Sequence, residues 1–451
     1  MLGPGRYLLG AAELIWLVGF AWLGAARVRR RLLPELGGEA GFLASAVAAI
    51  ALLIWVAEIL GTVSAFKPVP YLVAVAVVGL GLRCVVGEGP ESEAESSPRL
   101  RRPSLLATVI SLLIAGIAIG HFVSGVKLRL GTGMTGFDST WYHGPFAAGF
   151  FQSGNTIDLH FIAPQFLAWF YPANSEVVHA IGMLAFSRDL MSPLLNLGWL
   201  VGCLLASWCI GRPFGVAPWS LALGAIALSV PALADQAGEA RNDIVGIFFL
   251  LSAVALALNA ATSTKDEGRG RGLSTGALLC AGLTAGLAAG TKLNFLLPAA
   301  VLVVGLVVPA PRGRRWFTLL CAGGMALAGG GYWYLRNLIQ SGNPLPWIHH
   351  LGPIDLPAPE QALGGREAHS VISYLTDGSV WSDWFLPGLH GGLWILWPLL
   401  CALALAGLLL ALAQVRGWWA EKRSISALSG PSTGVAGALW VVGAVGLAAG
   451  L

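Results

Sequence analysis

Residues 105–125, "LLATVISLLIAGIAIGHFVSG", form an apolar run that contains no carboxylate, lysine or arginine. A helix of about 20 such residues crosses the hydrocarbon core of a bilayer. Similar runs recur along the chain, which is 56% hydrophobic and 11% charged and has a mean hydropathy of +0.73. A water-soluble fold could not cover so much apolar surface, and the runs lack the alternation of a membrane β-barrel. The sequence therefore predicts an all-α polytopic membrane protein.

The apolar runs predict about twelve transmembrane helices. The predicted spans are residues 7–26, 41–62, 70–87, 105–123, 190–211, 215–234, 243–261, 273–290, 295–310, 317–335, 391–413 and 433–451. If the N-terminus is outside, the basic stretches "RVRRR" (27–31), "RLRR" (99–102) and "PRGRR" (311–315) face inward. This distribution agrees with the positive-inside rule. We therefore expect a multi-pass protein of the inner (plasma) membrane.

The aspartates have the opposite distribution. In this topology every aspartate except Asp266 lies in an outer loop or at an outer helix end. Two outer loops, about 124–189 and 336–390, are long, and loops of this length are usually functional. Their aromatic, amphipathic stretches predict short helices in the outer membrane interface. We expect the active site on this outer (periplasmic) side.

Composition divides the chain into three regions. Residues 1–104 are predicted to hold N-terminal transmembrane helices and an acidic inner linker. Residues 105–390 form a transmembrane core with the two long outer loops, and residues 391–451 hold C-terminal transmembrane helices.

Four polar stretches reach the outer boundary in this topology. The first, Gly136–Pro145 or "GFDSTWYHGP", places one carboxylate, Asp138, among aromatic residues soon after an outward-running span. The others are "DQAGEARND" (235–243), "GTKLNF" (290–295) and "RNLIQSGNPLPW" (336–347). Together they are predicted to bring carboxylates, an Arg–Asn–Asp cluster, a lysine and an arginine to one water–membrane boundary.

The motifs "FDSTWYH…FFQSGN", "RND" at the start of a span, "GLAAGTK" and "YLRNLIQSGNPLPW" resemble a family pattern. Over about residues 105–390 the chain resembles bacterial membrane glycosyltransferases of the GT-C superfamily, multi-spanning enzymes that use polyprenyl-phosphate sugars as donors. The resemblance implies that Asp138, in the first large outer loop, is the catalytic base. Two features depart from the pattern: four predicted spans precede that loop where the simplest members have one, and Ser139 replaces the second residue of a paired "DE".

The chemistry of sugar transfer assigns the same roles. A carboxylate can take the proton of the acceptor hydroxyl as its oxygen attacks the anomeric carbon. The leaving phosphate is already anionic, so it needs nearby cations and no general acid. Lys292 and Arg336 are the predicted donor-phosphate ligands, since arginine can bind phosphate in bidentate fashion.

Weaker predictions concern substrate contacts. The candidates are Tyr142, His143, Glu239, Arg241, Asn242, Asp243 and Asn343. No metal site is assigned, because His143, His160 and His179 have scattered spacing, although the sequence leaves a divalent metal cofactor open.

Structural roles compete with several of these assignments. Asp138 could cap a helix, Lys292 could extend to the interface, and Arg336 could be an interfacial anchor. A local ion-pair network could account for a further group of charges, namely Asp235, Glu239, Arg241 and Asp243.

The sequence thus favours an inverting membrane glycosyltransferase. Its expected partners are a polyprenyl-phosphate sugar donor, a glycan, lipid or protein acceptor, and membrane lipids, with no nucleic acid. The alternatives are a transporter or flippase of lipid-linked or polar solutes, or a non-catalytic protein of the same fold. A transporter would keep its charges near the bilayer midplane, whereas here they are predicted at the outer boundary.

Overall fold

The computed structural model describes residues 3–89, 103–162, 168–263, 273–308, 310–357, 374–407 and 409. The protein is all-α, apart from one hairpin of two-residue strands, His350–Leu351 and Ile354–Asp355. The principal helices are α1 Pro4–Leu32, α2 Gly38–Thr62, α3 Pro68–Val85, α4 Leu105–Thr132, α5 Gly144–Ser153, α6 Asn174–Phe186, α7 Ser192–Gly211, α8 Ala217–Ala227, α9 Pro231–Ala234, α10 Asp243–Ser263, α11 Thr275–Ala289, α12 Leu296–Val307 and α13 Arg315–Ser341.

Shorter turns and helices complete the described chain. Two are π-helical, Ser139–His143 and Trp381–Phe385. Two near the end of the described chain are α-helical, Gly378–Val380 and Leu386–Leu393. The 3₁₀ turns are Ala168–Phe170, Arg212–Phe214, Leu293–Phe295, Arg312–Arg314 and Trp394–Leu396.

Seven helical segments of the described chain are long and apolar enough to cross a membrane. They are Pro4–Leu32, Gly38–Thr62, Pro68–Val85, Leu105–Thr132, Ser192–Phe214, Asp243–Thr262 and Gly378–Gly407. The prediction of a membrane-embedded, all-α protein is therefore confirmed at this level, while the count of twelve spans stays a prediction. The last predicted span, 433–451, lies outside the described residues.

The predicted span 215–234 is interrupted. Helix α8 ends at Ala227 and α9 begins at Pro231, with an extended residue, Val230 (φ −65°, ψ 151°), between them. A proline disfavours the helical conformation of the residue before it, which explains the break. The predicted spans 273–290 and 295–310 also differ, because the corresponding helices have only 15 and 12 residues.

Helix ends collect in two groups at opposite ends of the bundle. At one end, the α1 side chain of Arg29 donates to Leu36 O (2.8 Å) and Ser274 before α11 donates to Glu35 (2.6 Å). At the other end, Thr62 of α2 contacts the Tyr332 hydroxyl of α13 at 3.2 Å. The basic residues in the last turns of α1, Arg27 to Arg31, are thus at the opposite end of the bundle from the carboxyl ends of α2 and α13.

Helices α11 and α13 pack closely because glycines line their contact. A β-carbon on Gly286 would lie 2.1 Å from Ala326 O, and one on Gly330 would lie 2.3 Å from Gly286 O. No larger residue fits such a backbone approach without a shift. The contact holds the carboxyl-terminal parts of the two helices together. Lys292 lies just after α11, and Arg336 lies near the end of α13.

Helix α6 is buried along nearly its whole length. Its twelve buried residues include Glu176 and His179. The sequence predicted an interfacial helix here; the structure shows that protein covers α6 on nearly every side, and its depth in the membrane stays a prediction. It packs between α1 and α5, and Asn174 at its start donates to the backbone of α11 and α13, at Leu287 O and Gly329 O.

Candidate functional site

A narrow cavity lies where the helix ends of the second group meet. Its walls come from the π-helical turn before α5, from α6, from the start of α10, from the loop after α11 and from the end of α13. The lining residues are Tyr142, His143, Phe146, Phe150, Trp169, Tyr171, Pro172, Ala173, Glu176, Asn242, Lys292 and Arg336. In this conformation the cavity has room for about one water molecule.

Arg336 is a buried cation on the cavity wall. It is 2% exposed, and its Nη2 donates to Trp169 O (2.7 Å) and Tyr171 O (3.3 Å). The guanidinium also stacks 4.9 Å from the ring centroid of Trp333. Within the described residues no carboxylate forms an ion pair with it and no hydrogen bond reaches Nη1. An unpaired charge in this environment is costly, so the site favours an anion.

Lys292 lines the same cavity. It stands in an extended conformation between α11 and the turn that precedes α12, and its Nζ lies 2.5 Å from Asp243 Oδ1. Lys292 and Arg336 thus line one cavity, and their assignment as donor-phosphate ligands stays a prediction. Asp243 already neutralises the lysine in part, however, so Arg336 is the less compensated of the two cations.

An alternating row of charges continues from Lys292 towards solvent. The other Asp243 oxygen, Oδ2, accepts from Gln236 Nε2 at 3.0 Å and lies 3.9 Å from Arg241 Nη2. Arg241 Nε in turn lies 3.8 Å from Asp138 Oδ2. The local ion-pair network expected from the sequence thus includes Arg241 and Asp243, but its ends are Lys292 and Asp138.

Asp138 lies at the start of a helical segment, but it does not cap it. Its backbone is itself helical (φ −62°, ψ −38°) and its side chain makes no capping hydrogen bond. The capping alternative is therefore wrong. The side chain is 32% exposed, which leaves the carboxylate open to water.

Two phenols of the cavity wall, Tyr142 and Tyr171, lie close enough to Asp138 to be affected by its charge. Burial, with the charge of Asp138 as a second cause, raises the pKa of both Tyr142 and Tyr171. The rings meet edge to face with centroids 5.7 Å apart. Tyr142 therefore contacts the site as predicted, and Asp138 stands beside the mouth of the cavity instead of on its wall.

The π-helical turn Ser139–His143 sets the direction of these side chains. Ser139 is fully buried, and its hydroxyl accepts from the backbone N–H of Ala240 at 3.0 Å. This bond ties the turn to the stretch that precedes α10. A π-helical turn widens the spacing along a helix and is frequent at functional sites; here Tyr142 and His143 both reach the cavity.

Glu239 has a structural role in this region. Its Oε1 pairs with Arg129 Nε at 2.7 Å and accepts from the backbone N–H groups of Thr135 (3.1 Å) and Gly136 (3.0 Å). It thereby anchors the loop that leads to Asp138, and it does not line the cavity.

Asn343 is likewise committed elsewhere. Its side chain is fully buried, and its amide donates to Ile348 O and Pro357 O while its oxygen accepts from Leu345 N. The structure does not bring it to the cavity. The motif "GNP" is a turn signal, which already favoured a loop role for Asn343 over a substrate contact.

Three buried polar residues form the floor of the cavity. His143 Nδ1 and Asn242 Nδ2 (3.3 Å) both contact Glu176 Oε1, and Asn242 Nδ2 also donates to Thr291 O at 2.9 Å. Sequence reasoning proposed His143 and Asn242 but missed Glu176. A carboxylate within the otherwise apolar run "SEVVHAIGMLAF" was the available signal, because buried ionisable residues are usually functional.

The histidines do not assemble a metal site. His179 Nδ1 contacts the Ser192 hydroxyl at 2.7 Å, and burial, with His143 as a second cause, lowers its pKa to about 3. His160 instead contacts Asn155 O at 3.2 Å. Across the described parts of the chain, no group of three or more His, Cys, Asp or Glu residues is placed to hold a metal ion.

A comparison of this chain with protein-family models, with curated proteins and with solved structures found no match.

Proposed function

We propose that this protein is a membrane glycosyltransferase that moves a sugar from a polyprenyl-phosphate donor to an acceptor hydroxyl. The observation that carries the proposal is Arg336, a buried guanidinium that pairs with no carboxylate of the described residues, on the wall of a cavity that it shares with Lys292. A phosphate group supplies the missing anion. The prenyl chain would extend from the cavity into the bilayer alongside the apolar helices.

The reaction uses the charges at the two ends of the site. The acceptor hydroxyl oxygen attacks the anomeric carbon, and its proton passes to the Asp138 carboxylate. The bond between the anomeric carbon and the phosphate oxygen breaks, and polyprenyl phosphate leaves with one additional negative charge. Arg336 and Lys292 stabilise that charge. Attack on the face opposite the leaving group inverts the anomeric configuration.

Water exposure supports the assignment of the base. Asp138 is open to solvent, whereas Arg336 is buried. An acceptor that arrives from water therefore meets the carboxylate, while the phosphate of a membrane-borne donor meets the cations. Because the cavity now has room for about one water, entry of a sugar ring requires the lining side chains to move apart.

The orientation in the membrane is part of the proposal. The basic stretch 27–31, in the last turns of α1, and the cavity belong to opposite ends of the bundle. If the basic end faces the cytoplasm, as the positive-inside rule favours, the cavity faces the outer side. A glycan, lipid or protein of the cell envelope would be the acceptor. A charge cluster at one end of the helices also suits an enzyme better than a transporter, which binds near the midplane.

Release of polyprenyl phosphate tests the proposal without knowledge of the acceptor. Purified protein in detergent would be given labelled polyprenyl-phosphate glucose, galactose, mannose or arabinose, together with an envelope extract. We expect release with one of these donors and transfer of its label to an extract component. If no donor is consumed, but the labelled lipid crosses proteoliposome membranes, the protein is a flippase and the proposal fails.

A further inference from the structure

The floor of the cavity carries three polar atoms that no group among the described residues satisfies. They are Glu176 Oε2, His143 Nε2 and Asn242 Oδ1, and each is buried without a hydrogen-bond partner. The three residues are 2%, 1% and 2% exposed, respectively. Buried polar atoms are nearly always hydrogen-bonded in folded proteins, so three such atoms in residues that line one cavity indicate a ligand.

The hydrogen bonds that the other polar atoms of these side chains already make define which groups the ligand must offer. Glu176 Oε1 already contacts His143 Nδ1 and Asn242 Nδ2, which leaves Oε2, an oxygen that accepts hydrogen bonds in a carboxylate, for the ligand. Asn242 donates through Nδ2 to Thr291 O, which leaves Oδ1 as an acceptor. The free atoms of Glu176 and Asn242 therefore need hydrogen-bond donors. A hydroxyl satisfies both, and it can also donate to, or accept from, His143 Nε2 in either protonation state of the ring.

The cavity is thus chemically two-sided. Arg336 and Lys292 provide hydrogen-bond donors and positive charge, whereas Glu176 and Asn242 present acceptor oxygens. A phosphate placed beside the acceptor oxygens would be repelled, and so would a cation placed beside the basic wall. A ligand with an anionic group next to several hydroxyl groups fits both sides, and a phosphate-linked sugar has that pattern.

We propose that Glu176, Asn242 and His143 form the subsite for the hydroxyl groups of the donor sugar, with Glu176 as its central residue. This inference rests on the proposed function, and it divides the site into a phosphate end at Arg336 and a sugar end at Glu176. Sites that hydrogen-bond a substrate hydroxyl discriminate strongly against analogues that lack it. The sugar subsite is therefore expected to decide which donor is used.

Binding of two lipid probes separates the two ends. One probe is a polyprenyl phosphate, and the other is the same prenyl phosphate linked to glucose, galactose, mannose or arabinose, with the sugar that binds best to the unaltered protein used thereafter. The variants are Glu176→Gln and Asn242→Ala, with Asp235→Asn as a control for the loss of an exposed carboxylate at the same end of the molecule. Thermal unfolding in detergent verifies that each variant is folded.

We expect Glu176→Gln and Asn242→Ala to weaken binding of the sugar-bearing probe roughly 10- to 100-fold, as for a lost hydrogen bond with a charged or buried partner. Binding of the sugar-free prenyl phosphate should stay unchanged in both, and Asp235→Asn should alter neither. The subsite is overturned if the folded Glu176→Gln variant binds the sugar-bearing probe as tightly as the unaltered protein does. It is also overturned if the variant loses affinity equally for both probes. If neither probe binds the unaltered protein, the proposed function itself is wrong, which is a different result.

Discussion

Replacement of Asp138 by asparagine should separate turnover from stability. The carboxylate makes no capping hydrogen bond, and its contact to Arg241 is 3.8 Å long at a side chain that is 32% exposed. Ion pairs of this exposure contribute about 0–1 kcal/mol. The asparagine variant should therefore fold, with a melting temperature close to that of the unaltered protein.

The effect on catalysis should be far larger. A positioned general base contributes about 10²–10⁴-fold to the rate, which corresponds to about 2.7–5.4 kcal/mol of barrier height at 1.36 kcal/mol per decade. Asparagine keeps the shape of aspartate but cannot take a proton at neutral pH. Because Asp138 lies beside the cavity and not on its wall, the affinity for a prenyl-phosphate donor should change little.

The assay measures release of polyprenyl phosphate at saturating donor, and a separate experiment measures binding of the same donor. The control variant is Asp235→Asn, whose exposed carboxylate lies outside the cavity. Normal donor affinity with turnover reduced by two orders of magnitude or more supports the base assignment. Near-native turnover in the asparagine variant would refute it, and Glu176 or Asp243 would then become the candidate base.

Three further results are expected. Arg336→Ala should weaken binding of both sugar-bearing and sugar-free prenyl phosphates about 10- to 100-fold. Arg336→Lys should restore only part of this loss, because lysine cannot bind phosphate in bidentate fashion. Unchanged affinity of folded Arg336→Ala protein would contradict the phosphate site. Glu239→Ala should lower the free energy of unfolding by about 1–3 kcal/mol, because the variant loses the partly buried pair with Arg129 and two hydrogen bonds from backbone N–H groups. Donor affinity per folded molecule should persist, and a selective loss of donor binding in a stable variant would return Glu239 to the substrate site. Cysteines introduced at positions 138 and 360 should react with an impermeant reagent from outside the cell, while one at position 268 should be protected, and the reverse pattern would invert the topology.

The apolar runs and the positions of Lys292 and Arg336 show what the sequence alone can predict. The apolar runs alone predicted the all-α membrane class, because a helix that faces lipid must satisfy its own backbone and needs about 20 apolar residues to cross. The grouping of Lys292 with Arg336 also followed from the sequence, since both fall at helix ends on one side of the predicted topology. These inferences depend only on length, hydropathy and the alternation of direction along the chain.

Contacts between distant segments decided the remainder. Glu239 was a substrate candidate in the sequence, but Arg129 and the backbone near Gly136 occupy it, and those partners lie more than 100 positions away. Helix α6 looked amphipathic and interfacial, yet its neighbours bury it on nearly every side. Glu176 went unnoticed for the same reason. Whether a polar atom is satisfied depends on what packs against it, and in a helical bundle that is fixed by tertiary structure and not by the residues beside it in the chain.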